Sequence, residues 1–215
     1  MLRGRLPTPN EAKMLDALLV ILVEHGMVSQ VVAARLVYHC APEAIQAAVA
    51  AALCGAGSVH RGSSEWSAKM LTEALPPESK DPDLARVANA IFENYSAKNN
   101  ACRGLAIALM PKATPAPRLS SGSPKIIYGK YCELLQKLST VVTDRRKRLI
   151  PVNVIGAIAA IALDMGFPWR ITKAFALIGC TVGVMGHIAE EIRNPMATQI
   201  DAAIKQAIVY EPYRT

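Results

Sequence analysis

Thr8-Pro9-Asn10-Glu11, followed by Met14, Leu15, Leu18, Leu19 and Leu22, decides the fold class of this 215-residue chain. Thr8 supplies a hydroxyl for the free amides of a helix start, and Pro9 stands at the first helical position, where its missing N–H costs nothing. Glu11 completes a capping box with Thr8. The apolar residues that follow recur three and four apart, the spacing of one helix face. Gly26, just after His25, ends the helix.

The same grammar repeats outward from this helix. Ser29 is read as the cap of a second helix reaching about Cys40, and Pro42 as the opening of a third that runs to about Leu53. Gly55-Ala56-Gly57-Ser58 breaks the chain, and a fourth helix follows from about Ser64 to Leu75, stopped by Pro76-Pro77. Asp81-Pro82 is read as the start of a fifth, with the stripe Leu84, Val87, Ala88, Ile91, Phe92 and Tyr95. Residues 111–124 carry Pro111, Pro115, Pro117 and Pro124 around a Ser/Gly run and are read as a loop. Helices are then expected from about Ile126 to Thr143, across Ile158–Leu163, from the Gly166-Phe167-Pro168 turn to near Arg193, and along Ile200, Ala203, Ile204, Ala207 and Ile208. No run alternates like a strand, so the expected class is all-α.

Composition agrees. Hydrophobic residues make up 52% and aromatics 5%. The excess lies in Ala, Ile, Val and Leu, which suits closely packed helices better than a β-sandwich. The length fits one domain, or one domain with a smaller lobe. A mean hydropathy of +0.23 is high for a small soluble monomer, and a large oligomer interface would account for it. The apolar stretches Val154–Leu163 and Phe175–Gly186 fall short of the roughly 20 residues a spanning helix needs. The Met1–Arg5 start has no apolar signal region. A cytoplasmic protein without a membrane span is therefore expected. Four of the five cysteines lie in apolar helical patterns and none forms a CxxC pair, so reduced core thiols are expected.

The formal charge is +7 and the pI about 9.3, which favours anionic partners such as phosphates, CoA or nucleic acid. Arg145-Arg146-Lys147-Arg148 is the sharpest basic run. It reads either as a solvated helix end, where cations suit the helix dipole, or as a phosphate contact. Nucleotide-triphosphate, serine-hydrolase and metalloprotease signatures are absent from the sequence. His25 and His39 lack partners at metal-ligand spacing, so no metal site is expected. Glu190-Glu191 is set aside as an acid pair, because adjacent helical residues do not share a face.

Several segments, taken in order, resemble one family. Leu2-Arg3-Gly4-Arg5-Leu6-Pro7-Thr8 with the Met14–Gly26 helix and Ala33-Ala34-Arg35 opens the likeness. Val23-Glu24-His25-Gly26 is similar to an acidic-His-Gly signature, and Gly55-Ala56-Gly57-Ser58-Val59-His60-Arg61-Gly62 to a Gly-x-x-His-x-Gly turn. Pro151-Val152-Asn153-Val154-Ile155-Gly156 is similar to a Pro-Asn-Val-Asp-x-x-Gly stretch, and Gly183-Val184-Met185-Gly186-His187 with Glu190 to the following helix. Together they resemble the citrate synthase superfamily, in particular its short citryl-CoA lyase-like members.

The resemblance implies an all-α large lobe of residues 1–63 and 149–215 with an inserted small lobe of 64–148, a homodimer, and enolate chemistry on acetyl-CoA or another CoA thioester. In that chemistry a carboxylate takes a proton from the thioester's methyl group while a His donates a hydrogen bond to the enolate oxygen. Further His and Arg side chains hold the carboxylates of a keto or hydroxy acid. The lyase direction runs these steps backwards. By position, His60 falls on the enol-stabilising His and His25 on a substrate-binding His. His187 falls on a late His that is mainly structural in the family and that also reads as a core residue. Asn153 falls beside the base position, where it either meets substrate or bonds local backbone. Arg118, or Arg61, would stand in for a carboxylate-binding Arg, and Arg145, Arg146, Lys147 and Arg148 lie near the implied CoA site.

Two departures bear on activity. Ile155 occupies the base position and cannot take a proton, so Glu65 or Asp164 would have to serve. Cys180 occupies the position of an expected arginine. The likeness also begins partway into the family's usual length, which implies a family segment with no counterpart here. The leading expectation is an acyl-CoA carbon–carbon lyase or synthase. Its rival is a degenerate homologue that keeps the fold and a CoA pocket, and nucleic-acid binding through the basic run ranks last.

Overall fold

The computed structural model describes residues 2–57, 62–98, 102, 104–105 and 127–208. His60, Arg61 and Arg118 lie outside them, as does the whole of the expected 111–124 loop. Among the described residues the fold is all-α: α1 (Pro9–Leu22), α2 (Ser29–Cys40), α3 (Ile45–Cys54), α4 (Ser63–Ala74), α5 (Leu84–Ala97), α6 (Lys130–Arg146), α7 (Val154–Asp164), α8 (Thr172–Arg193) and α9 (Ala197–Ala207), with a 3-10 turn at Trp169–Ile171. The sole extended pairing among these residues is an isolated antiparallel bridge between Leu105 and Val152.

Packing divides the chain into two units, residues 1–20 with 58–176, and residues 21–57 with 177–215.

In the first unit the capping box forms as read. Thr8 N–H donates to Glu11 Oε2 at 2.8 Å, and Glu11 N–H donates to Thr8 Oγ1 at 3.3 Å. Arg3 and Arg5 also reach the Glu11 carboxylate, each at 2.6 Å. The Arg5 hydrogen bond, then the Thr8 amide, then Arg3 hold that carboxyl far below the usual range. The core lies among α4, α5, α6 and α7, where Leu71, Ala88, Leu134, Leu135, Leu138, Ala159 and Ala160 are buried together. Burying a leucine fully is worth about 2–3 kcal/mol, so these side chains, rather than helix propensity, hold the unit.

Some helix starts differ from the sequence reading. Asp83, not Asp81, caps α5, accepting from Ala85 and Arg86 N–H. Val28 precedes α2 without a side-chain cap, so Ser29 is its first residue rather than its cap. Gly129 precedes α6 and has no side chain to offer. Its place is taken by Asp164 at the end of α7, whose carboxylate accepts from Gly129, Tyr131 and Cys132 N–H at 2.8–3.0 Å. A Cβ at Gly129 would stand 2.6 Å from that carboxylate, which is why glycine is needed there. Lys147 ends α6 in the left-handed region at φ 52°.

In the second unit α2 packs on α3, and Ala34, Ala48, Ala52, Cys180, Val184 and Ile188 form a core of mostly small side chains. Small residues bring helix backbones close. A Cβ at Gly183 of α8 would lie 1.8 Å from the Val23 carbonyl oxygen. Of the cysteines, Cys180 is fully buried, but Cys40 and Cys54 sit exposed at helix ends, contrary to the core reading. The expected apolar face of α9 is likewise open, with Ile204 41% and Ile208 66% exposed.

Trp169–Arg193 is long and apolar enough to cross a membrane by length and composition alone. The apolar run Phe175–Gly186 is shorter than the helix that holds it, which ends at Arg193 as expected. Cys180, Val184 and Ile188 are buried in the core, as in a core helix of a folded domain, which passes the same test.

Candidate active site

The second unit gathers a polar cluster around Arg35, which is fully buried on α2. Its Nη1 donates to Glu191 Oε2 at 2.8 Å, and its Nη2 donates to Glu190 Oε2 in a very short contact. The two carboxylates point off α8 in different directions, as adjacent helical residues must, yet the guanidinium fork is wide enough to meet both. Glu190 and Glu191 do not share a face, one being 55% and the other 3% exposed.

Glu191 is 3% exposed and also accepts from Met196 and Ala197 N–H, each at 2.9 Å, so it caps α9. Burial raises its pKa. The Ala197 amide, Arg35 and the Met196 amide outweigh burial and hold it below the usual carboxylate value.

Arg35 Nη2 lies 3.1 Å from His187 Nδ1. A guanidinium only donates, so Nδ1 accepts and the ring proton is assigned to Nε2. That Nε2 stands 3.1 Å from Glu24 Oε2, within attractive range but off the hydrogen-bond axis. Glu24 in turn accepts from Gly26 N–H in a very short contact, across a turn in which Gly26 adopts φ +71°. Burial raises the Glu24 pKa, and the Gly26 amide, His187 and the His25 amide together bring it below its usual value. His25 itself is exposed between them. His187 is therefore neither isolated in the core nor open to solvent. Its side chain is 12% exposed and joins α8 to the His25 turn.

In the first unit Asn153 caps α7. Its Oδ1 accepts from Gly156 N–H at 2.9 Å, its Nδ2 donates to the Leu105 carbonyl at 3.0 Å, and its backbone N–H donates to the Gly104 carbonyl at 3.1 Å. The Gly156 bond is local, as the sequence allowed, whereas those to Gly104 and Leu105 reach distant backbone. Gly104 and Gly156 meet so closely that a Cβ on Gly156 would lie 2.2 Å from the Gly104 oxygen. Ile155 follows in the first turn of α7, half-buried and without an ionisable group. Asp164, one possible replacement base, is engaged with three amides of α6.

The basic run closes α6 and is exposed throughout. Arg145 pairs with Glu93 at 3.2 Å and lies over the Phe92 ring, while Arg145 and Arg146 face the carbonyl end of the helix. Cys180, at the position of an expected arginine, is 2% exposed among alanines and aliphatic side chains, where an unpaired guanidinium would be strongly disfavoured.

The candidates thus fall into two sets. His25 and His187 come together through Glu24. Asn153 and the Arg145–Arg148 run belong to the other unit. Sequence reading passed over Arg35 and Glu24 as site members. The one local signal was an arginine inside an otherwise apolar helix.

Over residues 1–200 the chain matches the model of the citrate synthase C-terminal domain, and it belongs to that family. It is similar to the citryl-CoA lyase from Hydrogenobacter thermophilus, with TM-score 0.80 and 25% identity over 100% of this chain and 82% of that one. The citrate synthase from Thermotoga maritima MSB8 shares the fold at TM-score 0.67 and 18% identity, over 97% of this chain and 54% of that one. So does the ATP citrate lyase from Methanothrix soehngenii, solved in complex with citrate and coenzyme A, at TM-score 0.71 and 17% identity, over 99% of this chain and 36% of that one. The chain therefore spans about half of that citrate synthase and about a third of that ATP citrate lyase. No curated protein sequence matches it significantly.

Proposed function

We propose that this protein is an acyl-CoA carbon–carbon lyase or synthase of citryl-CoA lyase type, acting on a CoA thioester and a keto or hydroxy acid. The likeness to a citryl-CoA lyase over the whole of this chain and 82% of that enzyme carries the reading. Coenzyme A bound in the ATP citrate lyase structure supports CoA as the carrier of the substrate. In this reading His25 holds the acid's carboxylate, His60 stabilises the enolate oxygen, and the exposed Arg145–Arg148 run meets CoA phosphates. Glu65, in the first turn of α4, takes the place of the base missing at Ile155. The enzyme works in the cytoplasm as a homodimer, with lobes of residues 1–63 plus 149–215 and 64–148. The exposed apolar side chains of Ile178, Val182, Met185 and Ile192 on α8 support self-association.

Calorimetric titration with acetyl-CoA, followed by deuterium exchange of its methyl protons, tests the proposal. Micromolar binding, weakened about tenfold by neutralising Arg145–Arg148, is expected, together with exchange that Glu65→Gln abolishes. Absence of binding at millimolar acetyl-CoA or CoA refutes it.

A second reading is a catalytically degenerate CoA-binding homologue. Ile155 at the base position, Asp164 bonded to the α6 amides and Cys180 buried in the core favour it. Acetyl-CoA binding without methyl exchange would decide for this reading.

A further inference from the structure

The turn that carries His25 follows the end of α1, with Glu24, His25, Gly26 and Met27 exposed and Val28 half-buried. Val28 N–H donates to the Gly26 carbonyl at 2.9 Å within it. A short exposed turn with a positive-φ glycine samples many conformations when nothing fixes it. Here the Glu24 side chain ties it to α8. The Glu24 carboxylate accepts from the Gly26 amide with one oxygen and meets His187 Nε2 with the other, at 3.1 Å.

His187 cannot move to follow a drifting Glu24. Its Nδ1 lies 3.1 Å from Arg35 Nη2, and its ring is nearly buried. Arg35 is held in turn by Glu190 and by Glu191, and Glu191 is locked to the first amides of α9. The close approach of Gly183 to the Val23 carbonyl fixes the backbone just before the turn. A chain of polar contacts thus runs from the α9 amides to the His25 turn, its last link being the 3.1 Å approach of His187 Nε2 to Glu24.

We infer that Glu24 and His187, anchored by Arg35, are positioning residues for His25: they clamp the Glu24–Gly26 turn so that the His25 ring is presented in one orientation to an anionic ligand. This deepens the proposed function, because His25 as a carboxylate-binding residue belongs to that reading. The clamp itself can be tested without any ligand.

The experiment uses the full chain labelled with nitrogen-15. The Gly26 amide exchange rate and the His25 ring resonances are measured in the wild type and in Glu24→Gln, His187→Leu and His187→Gln. His39, exposed at the end of α2, serves as the internal reference for an unrestrained ring. In His187→Leu and Glu24→Gln the Gly26 amide should exchange at least about tenfold faster relative to the Val184 amide, and the His25 resonances should move towards those of His39. His187→Gln can accept from Arg35 and donate to Glu24, so it should restore both signals to near the wild type. Glu24 is 59% exposed, so Glu24→Gln decides the matter even where His187→Leu does not fold. Unchanged Gly26 exchange and His25 resonances in Glu24→Gln would overturn the proposal, as would failure of His187→Gln to rescue a shifted His187→Leu. A second arm titrates citrate. Where the wild type binds it, Glu24→Gln should weaken citrate about tenfold and leave CoA affinity unchanged. Wild-type protein that does not bind citrate sinks the substrate reading, while the amide and ring signals still decide the clamp.

Discussion

Replacing Arg35 by methionine should destabilise the protein by about 3–5 kcal/mol, because it leaves a buried carboxylate without its countercharge. Arg35 is fully buried, Glu191 is 3% exposed and Glu190 55%. Methionine keeps most of the stem volume, so little of the cost arises from a cavity. Glu190 rehydrates when its partner goes, and contributes no more than about 1 kcal/mol. Glu191 cannot. It keeps the Met196 and Ala197 amides but loses the neighbouring charge in a dry site. For a chain of this length the loss corresponds to a fall in Tm of roughly 10 °C, read by far-UV circular dichroism at neutral pH. Glu191→Gln should follow, at about 2–3 kcal/mol, since it leaves Arg35 with only the exposed carboxylate. Glu190→Gln should cost under about 1 kcal/mol. A Glu190→Gln variant as damaged as Arg35→Met, or an Arg35→Met variant within a degree or two of the wild type, would refute this account of the cluster.

Three further outcomes are expected. Gly183→Ala drives a Cβ into the Val23 carbonyl and should cost more than about 3 kcal/mol or prevent folding. Gly186→Ala, three residues further along the same helix with nothing within 4 Å, should gain about 0.5–1 kcal/mol, and thermal melts of the pair make the comparison. Asp164→Ala should cost about 1–2 kcal/mol in urea unfolding, as the loss of an N-terminal cap does, although the residue is far from α6 in sequence. Acid should also destabilise the fold. The Glu11, Glu24 and Glu191 carboxyls are all held below their ordinary value of 4.5, so their stabilisation is complete above that pH and fades as pH falls towards the lower folded values. A plot of Tm against pH should therefore drop below about pH 4.5 and be flatter in Glu11→Gln, and an unchanged slope in that variant would exclude Glu11 as a source.

Where cause and effect lie within a few residues, much was legible in the sequence, although the caps read at Ser29 and Asp81 were not the ones formed. The Thr8–Glu11 box, the Pro76-Pro77 stop, the turn after Asp164 and the Asn153 bond to nearby backbone are all local, and the all-α class follows from them. Family membership was also legible, because short motifs in a fixed order survive even where Ile155 and Cys180 depart from the pattern. Tertiary structure decided the rest. The start of α6 at Lys130 depends on a carboxylate 35 residues away from Gly129 in sequence, so no local pattern announces it. Arg35 meets Glu191 across 156 residues, and its guanidinium spans Glu190 and Glu191 although the two do not share a helix face. Burial settled Cys180 against Cys40 and Cys54, which share a similar apolar setting in sequence. Hydrogen-bonded turns and helix faces are set by neighbours along the chain, whereas a buried charge finds its partners only after the helices that carry them have packed.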